Sequence, residues 1–540
     1  MKRLTTIAIL LAAFAGCTPR ADRNATADRN ATASNNATTD KHTRSAANQN
    51  TPASPQVELR NPIVSGFSPD PSVVAVGGDY YLVNSSFHYF PGVPIYHSTD
   101  LQNWDQIGNV LDRPSQLPLN EATSWLGIYA PTIRYHDGTF YMITTNVGDG
   151  GNFMVTATDP RGPWSEPIWL EQQGIDPSLY FEDGKCYMLS NPDATITLCE
   201  IDPVTGKTLS PGKALWRGTG GRFPEGPHIY KHGGWYYLLI SEGGTELAHK
   251  LTVARSRHIY GPYKPNPDNP IFTHCSLAAQ DSNIQGTGHA DFFQAADGSW
   301  WTVMLAYRRY GGDYHHLGRE TFLAPVSWHK GWPVINGGKP IAERMAVRMP
   351  AVPAKLEPRR IHDDFSTIGP QWMHIQHPVA ENYAVKDGKL LLTGNGDGFD
   401  WGGWHPTALL MRQRAAECKF GTDVIMRTKG EAGIAIYQIF CGHAEFCIRR
   451  DKYPEAVVRL RLHGIEHELA AVPLKEFEAR LDVVSWGDHY EFLVNGREIA
   501  RLDSKLLSTE VAGGFTGVTI GPYCRSGRAE VAGFDYEERL

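Results

Sequence analysis

Three acidic residues stand at or beside the heads of a recurring phrase. Asp70 opens "DPSVVAVGGDYYLV", Asp176 opens "DPSLYFEDGKCYML", and Glu225 opens "EGPHIYKHGGWYYLL". Two further copies complete the set: "APTIRYHDGTFYMIT", with Thr132 near its head, and "GHADFFQAADGSWWTVML", with His289. Carboxyl groups in twos or threes, without an activated nucleophile, suit acid–base hydrolysis of an acetal: one protonates the leaving oxygen while another activates water. No GxSxG, HExxH, phosphate-loop or dinucleotide glycine pattern occurs in the strand–turn–helix setting its chemistry requires. A single Asp before Pro is an ordinary turn residue. Three acids converging on one place are harder to assign to turns, because crowding like charges costs energy that is usually retained for chemistry.

The elements that must position these acids are legible in the same phrase. Each copy reads as a short strand, a tight glycine-containing turn and an aromatic-rich second strand. The turns recur roughly every 45 to 65 residues, the spacing of one propeller blade apiece. The fold class is therefore all-β, with a five-bladed β-propeller over about residues 57–350. Its innermost strands bring Asp70, Thr132, Asp176, Glu225 and His289 to one axial funnel. Beyond residue 355 alternating strands such as "TDVIMRT", "GIAIYQIF" and "AVVRLRLHG" predict an antiparallel β-sandwich running to residue 540.

Bulk properties restrict the partner. The 540 residues are 41% apolar and 11% aromatic with a formal net charge of −7, which argues against nucleic acid and suits a neutral, flat-faced ligand such as a sugar. The N-terminus, "MKRLTTIAILLAAFAGC", has the charged start, short apolar run and small-residue end of a signal peptide. Cys17 after Ala15-Gly16 resembles a bacterial lipobox, so residues 1–17 predict export across the inner membrane. The product is then a periplasmic or outer-membrane lipoprotein that meets the membrane only through its lipid. Residues 18–56 repeat "ADRNAT" and continue in Ala, Asn, Thr and Ser, a disordered tether. Seven cysteines follow Cys17 without CxxC spacing, which speaks against zinc and leaves at least one thiol unpaired; Cys186 and Cys199 could face each other in a hairpin.

At these residues the chain resembles glycoside hydrolase family 43, the five-bladed β-xylosidases and α-L-arabinofuranosidases. The phrases that carry the resemblance are "NPIVSGFSPDPSV", "SSFHYFPGVPIYHSTDLQNW", "GIDPSLY", "EGPHIYKHGGWYYLLISEGGT", "GTGHADF" and "LGRETFLAPVSWHKGWPV". The resemblance implies Asp70 as general base, Glu225 as general acid, and Asp176 as the group that orients Glu225 and tunes its pKa. It implies Arg319, Phe87 and Tyr129 as contacts to the terminal sugar. It places His289 on the propeller axis, where some members use a histidine to hold calcium and others to touch substrate; no cofactor is required. The second repeat reads Tyr-Ala-Pro-Thr where the family often has Trp-Ala-Pro-Asp, which bears on sugar preference. The C-terminal half resembles the concanavalin-like domain of such xylosidases, and "GGFTGVTIG" makes Phe515 a candidate rim residue. The expected activity is exo-acting, inverting release of terminal β-D-xylosyl or α-L-arabinofuranosyl residues from hemicellulose oligosaccharides. The alternatives are a non-catalytic surface glycan-binding propeller and a propeller glycosidase of different sugar specificity.

Overall fold

Five sheets follow one another along the chain, four of four strands and one of five, and a 14-stranded assembly comes after them. The computed structural model describes residues 56–120, 122–400 and 405–539. The expected leader, Cys17 and the tether up to residue 55 lie outside the described residues.

The five sheets are the blades. Their innermost strands are Ser72–Val76, Thr132–His136, Ile175–Glu182, Glu225–His232 and Ile284–Gln294, each antiparallel to the strand that follows. In three blades the hairpin turns on two residues at positive φ: Asp137-Gly138, Asp183-Gly184 and Gly233-Gly234. That turn matches the twist of paired strands, and Asp-Gly and Gly-Gly enter it cheaply. Apolar clusters wedge between neighbours: Ile95 with Phe153, Ile143 with Met188, Leu198 with Leu238, and Leu82 with Leu239 and Trp301. The ring's two chain ends meet beside blade 5, where Gln56–Arg60 pairs with Arg344–Arg348.

The heads of the innermost strands are kinked. Asp70, Asp176, Gly226 and His289 have φ of 52°, 54°, 56° and 47°, and the ladders skip at Ile175/Ser178, Glu225/His228 and Gly288/Asp291. A residue before proline is normally extended, so left-handed Asp70 and Asp176 are strained, and bulges of this kind re-aim side chains beside active sites. Thr132 is a correction to the expected ring of heads. The residue of blade 2 equivalent to Asp70 is Ala130, and Thr132 aligns with Ser72, Ser178, His228 and Asp291, one layer further along the strands.

That deeper layer ties blades 1, 2, 4 and 5 together. Fully buried Asp291 accepts from Arg134 at 2.8 and 3.0 Å, from the Tyr230 hydroxyl at 2.7 Å and from Ser72 at 2.6 Å. Arg134 also meets His228 Nδ1 at 2.9 Å. Burial alone would raise the Asp291 carboxyl; Arg134 and His228 overcome it and hold the group well below the usual range.

The C-terminal sandwich is organised on one long strand, Thr519–Glu538, which pairs with six others including Glu417–Met426 and Gly430–Ile439. It docks on the propeller through a two-residue ladder, Tyr89–Phe90 against His374–Ile375. A shared apolar cluster joins Phe67, Phe87 and Tyr89 to Met373, Tyr437 and Tyr523, with Tyr129 and Phe515 packed on it. A pairing of Cys186 with Cys199 does not form. Their strands are neighbours, but Cys186 faces Ile201 and Cys199 faces Met188, so the two buried thiols sit diagonally and are free.

Candidate active site

The bulged heads put Asp70, Asp176, Glu225 and His289 around one pocket, supplied by blades 1, 3, 4 and 5. Asp70 is 6% exposed and receives Arg319 Nη1 on Oδ1 at 2.8 Å and the Ser85 hydroxyl on Oδ2 at 2.6 Å. His289 Nδ1 lies 3.9 Å from the same Oδ1. Burial by itself would raise this carboxyl; Arg319, His289 and Ser85 together bring it below the ordinary value. Asp176 is equally buried but has no cation bonded to it, only the Gly226 N–H at 3.2 Å. Burial raises it to about 7, with His289 opposing and the neighbouring Glu225 and Asp70 adding to the rise. Two buried aspartates facing one pocket are therefore driven in opposite directions.

Glu225 opens its strand, with a side chain 18% exposed. Its Oε1 lies 3.2 Å from Nε2 of His249, a fully buried residue that the sequence reading did not single out. Gly226 and Gly288 give the two imidazoles room: an added Cβ at Gly226 would come within 3.1 Å of the His289 ring, and one at Gly288 within 2.3 Å of the His249 ring. His289 is fixed by its own backbone N–H, which donates to Ser241 Oγ at 2.6 Å.

The aromatic contacts named from the sequence gather on the Asp70 side. Phe87 sits 5.3 Å from Tyr129 and 6.4 Å, stacked, from Phe515, centroid to centroid. The Arg319 guanidinium lies over the Phe87 ring at 5.6 Å, and its Nη2 donates to the Phe515 carbonyl at 3.2 Å. Its Nε is buried without a protein partner. Phe515 is thus a loop residue of the sandwich that reaches Arg319 of the propeller. Ser85 and His249 are the members of the site that sequence reasoning missed. "SSF" held Ser85 two residues from Phe87, and His249 lies four residues beyond the phrase that ends in "SEGGT", but neither spacing named its partner.

The arrangement can hold one carboxylate ionised near water, keep a second acid group ready to give a proton, and clasp a small polar ring against aromatic faces. Among the described residues no group of three or more His, Cys, Asp and Glu side chains forms a metal cage. Beneath His289 the buried carboxylate, Asp291, already neutralises the Arg134 guanidinium. Calcium takes six to eight oxygen ligands, and this donor set does not fit it.

Fold and site together define a propeller glycosidase. The chain belongs to glycosyl hydrolases family 43: that family's model matches residues 59–333, and the beta xylosidase C-terminal concanavalin A-like domain matches 362–538. It is 39% identical over 509 residues to a non-reducing end alpha-L-arabinofuranosidase of Bacteroides ovatus, covering 89% of this chain and 94% of that one. It is also 39% identical to a xylosidase/arabinosidase of Butyrivibrio fibrisolvens, covering 87% and 96%. Among solved structures, a xylan beta-1,4-xylosidase from Bacillus halodurans superposes with a TM-score of 0.82 at 32% identity, covering 89% of this chain and 100% of that chain.

Proposed function

We propose that this glycosidase releases terminal β-D-xylosyl or α-L-arabinofuranosyl residues from the non-reducing ends of hemicellulose oligosaccharides, with inversion. The relatives' names supply the two sugars, whose hydroxyls are similar. The observation that carries the mechanism is the convergence of three carboxyls from separate blades, with Asp70 bonded to Arg319 at 2.8 Å and Asp176 bonded to the N–H of Gly226, the residue after Glu225.

Asp70, ionised beside Arg319 and Ser85, takes a proton from the attacking water. Glu225 gives its proton to the glycosidic oxygen, so the bond to the leaving sugar breaks as the new C–O bond forms on the opposite face. Asp176 accepts the N–H of Gly226, the residue after Glu225, and so sets the angle at which the acid enters the pocket. The unpartnered Nε of Arg319 is a donor that a sugar hydroxyl satisfies, and Phe87, Tyr129 and Phe515 give the ring its walls. A loop from a second domain against the mouth suits a pocket for chain ends rather than an open cleft. Arg134 in the axial layer makes calcium unnecessary there, so hydrolysis should survive chelation.

Inversion requires a water between base and anomeric carbon, with carboxyls about 6.5–9.5 Å apart against about 5–5.5 Å for retention. Proton NMR during hydrolysis of a β-xyloside should show α-xylose first; β-xylose first would recast Asp70 as a nucleophile. Rates on aryl β-D-xyloside and aryl α-L-arabinofuranoside, measured side by side, test the sugar. Acylation of Cys17 and an outer-membrane or periplasmic location complete the proposal, on the strength of the lipobox-like leader.

A further inference from the structure

The bulge at the head of blade 4 removes ladder partners from the backbone beside Glu225. Glu225 pairs with Ser241 and His228 with Leu239, so Gly226 and Pro227 have no partners of their own in the register. Backbone polar groups released in this way need other partners when they are buried. Blade 3 supplies them. The Gly226 N–H donates to Asp176 Oδ2 at 3.2 Å, and the Pro227 carbonyl accepts the Ser178 hydroxyl at 2.5 Å. On the other side of Glu225, the Pro224 carbonyl accepts Nδ2 of Asn191. Proline has no N–H, so at residues 224 and 227 the carbonyl is the one polar handle that the backbone offers.

Both donors are themselves fixed. Ser178 is buried in the deeper layer of its strand. Asn191 stands opposite Ile175 on the neighbouring strand of blade 3, and its Oδ1 accepts the Thr195 N–H at 3.0 Å, which turns the amide nitrogen toward Pro224. From blade 5 the His289 ring closes on Gly226, where an added Cβ would come within 3.1 Å of it. The backbone that carries Glu225 is thus held at residues 224, 226 and 227 by three side chains of one neighbouring blade.

We infer that Ser178 and Asn191 are positioning residues for Glu225, an inference that rests on the reading of Glu225 as the general acid. Each acts on a carbonyl flanking the acid, as Asp176 acts on the N–H between them. Proton transfer needs the carboxyl within hydrogen-bond reach of the leaving oxygen, and a misplacement of about 1 Å can cost on the order of a hundredfold.

Ser178→Ala and Asn191→Ala should each lower kcat on xylobiose roughly tenfold, with KM changed less than about twofold. An aryl pentoside with an activated leaving group departs with little protonation and should lose less than about threefold. Inhibition by free xylose should be unchanged, since the Asp70 side of the pocket is untouched. In a Glu225→Gln background neither alanine should cost xylobiose turnover more than about a further twofold, because a residue acting through Glu225 then has no acid to position. Equal losses on both substrates, or losses that multiply in full with Glu225→Gln, would make the two residues structural and overturn the inference. Full activity in both alanine variants would overturn it as well, and a raised KM at unchanged kcat would make them substrate contacts instead. If Glu225→Gln by itself spares xylobiose, the acid reading has failed and the inference falls with it.

Discussion

Asp70 as the proposed base and Glu225 as the proposed acid serve different bond changes, and substrates separate the two. Glu225→Gln removes the proton donor, so turnover of xylo-oligosaccharides should fall on the order of 10²–10⁴-fold, and of substrates with an activated aryl leaving group much less. Asp70→Asn should depress both alike, because water still needs a base; steady-state rates on the two substrates check this. Asp176 gives a signed test against pH. Its carboxyl is raised to about 7, so the stability it lends is full below the unfolded value and is lost as pH rises through 7. Asp176→Asn should therefore raise the denaturant midpoint at about pH 8, with the gain shrinking toward about pH 4, while activity drops; a midpoint lowered equally at both would contradict it. Asp70 runs the other way, stabilising above its unfolded value and losing that stability as pH falls. The acids that meet at the pocket were readable from type and repeat. Their partners were not, since Ser85 lies 15 residues from Asp70 and Arg319 lies 249 from it, and nothing in either spacing encodes a bond.

Among the elements, the innermost strands carry two layers, one with left-handed heads at the pocket and one bonded across blades. In the deeper layer Asp291 is fully buried beside Arg134, which is 19% exposed. Removing one partner of a buried ion pair leaves the other uncompensated, at about 3–5 kcal/mol. Asp291→Asn should lower propeller stability by about that amount, read as a reduced denaturant midpoint; an unchanged midpoint would show that the layer is not what joins blades 1, 2, 4 and 5. The repeat revealed the strands and their Gly turns because hairpin chemistry is local. It did not reveal the bulges, which is why Thr132 was expected in the layer of Asp70 when it belongs to the layer of Asp291. A bulge is one extra residue whose cost is met only by neighbours in other blades.

For the whole molecule, the sandwich is part of the pocket. Phe515 stacks on Phe87, and its carbonyl takes a hydrogen bond from Arg319. An aromatic pair is worth about 1 kcal/mol, so Phe515→Ala should raise KM about fivefold with kcat and thermal stability little changed; an effect on stability alone would assign Phe515 to packing. Cys17→Ala should release the protein from membranes, since one N-terminus with several acyl chains holds firmly; wild-type protein wholly in the soluble fraction would refute the anchor. The sequence by itself determined the blade repeat, the all-β class and the acids. Those follow from short-range rules: turn residues, strand alternation and charge. The tertiary structure alone decided that Asp70 sits with a cation and Asp176 without one, that His249 backs Glu225, and that a sandwich loop closes on a propeller arginine. Each of these is a contact between distant segments, fixed when blades and domains pack and bury polar groups whose only partners lie across the interface.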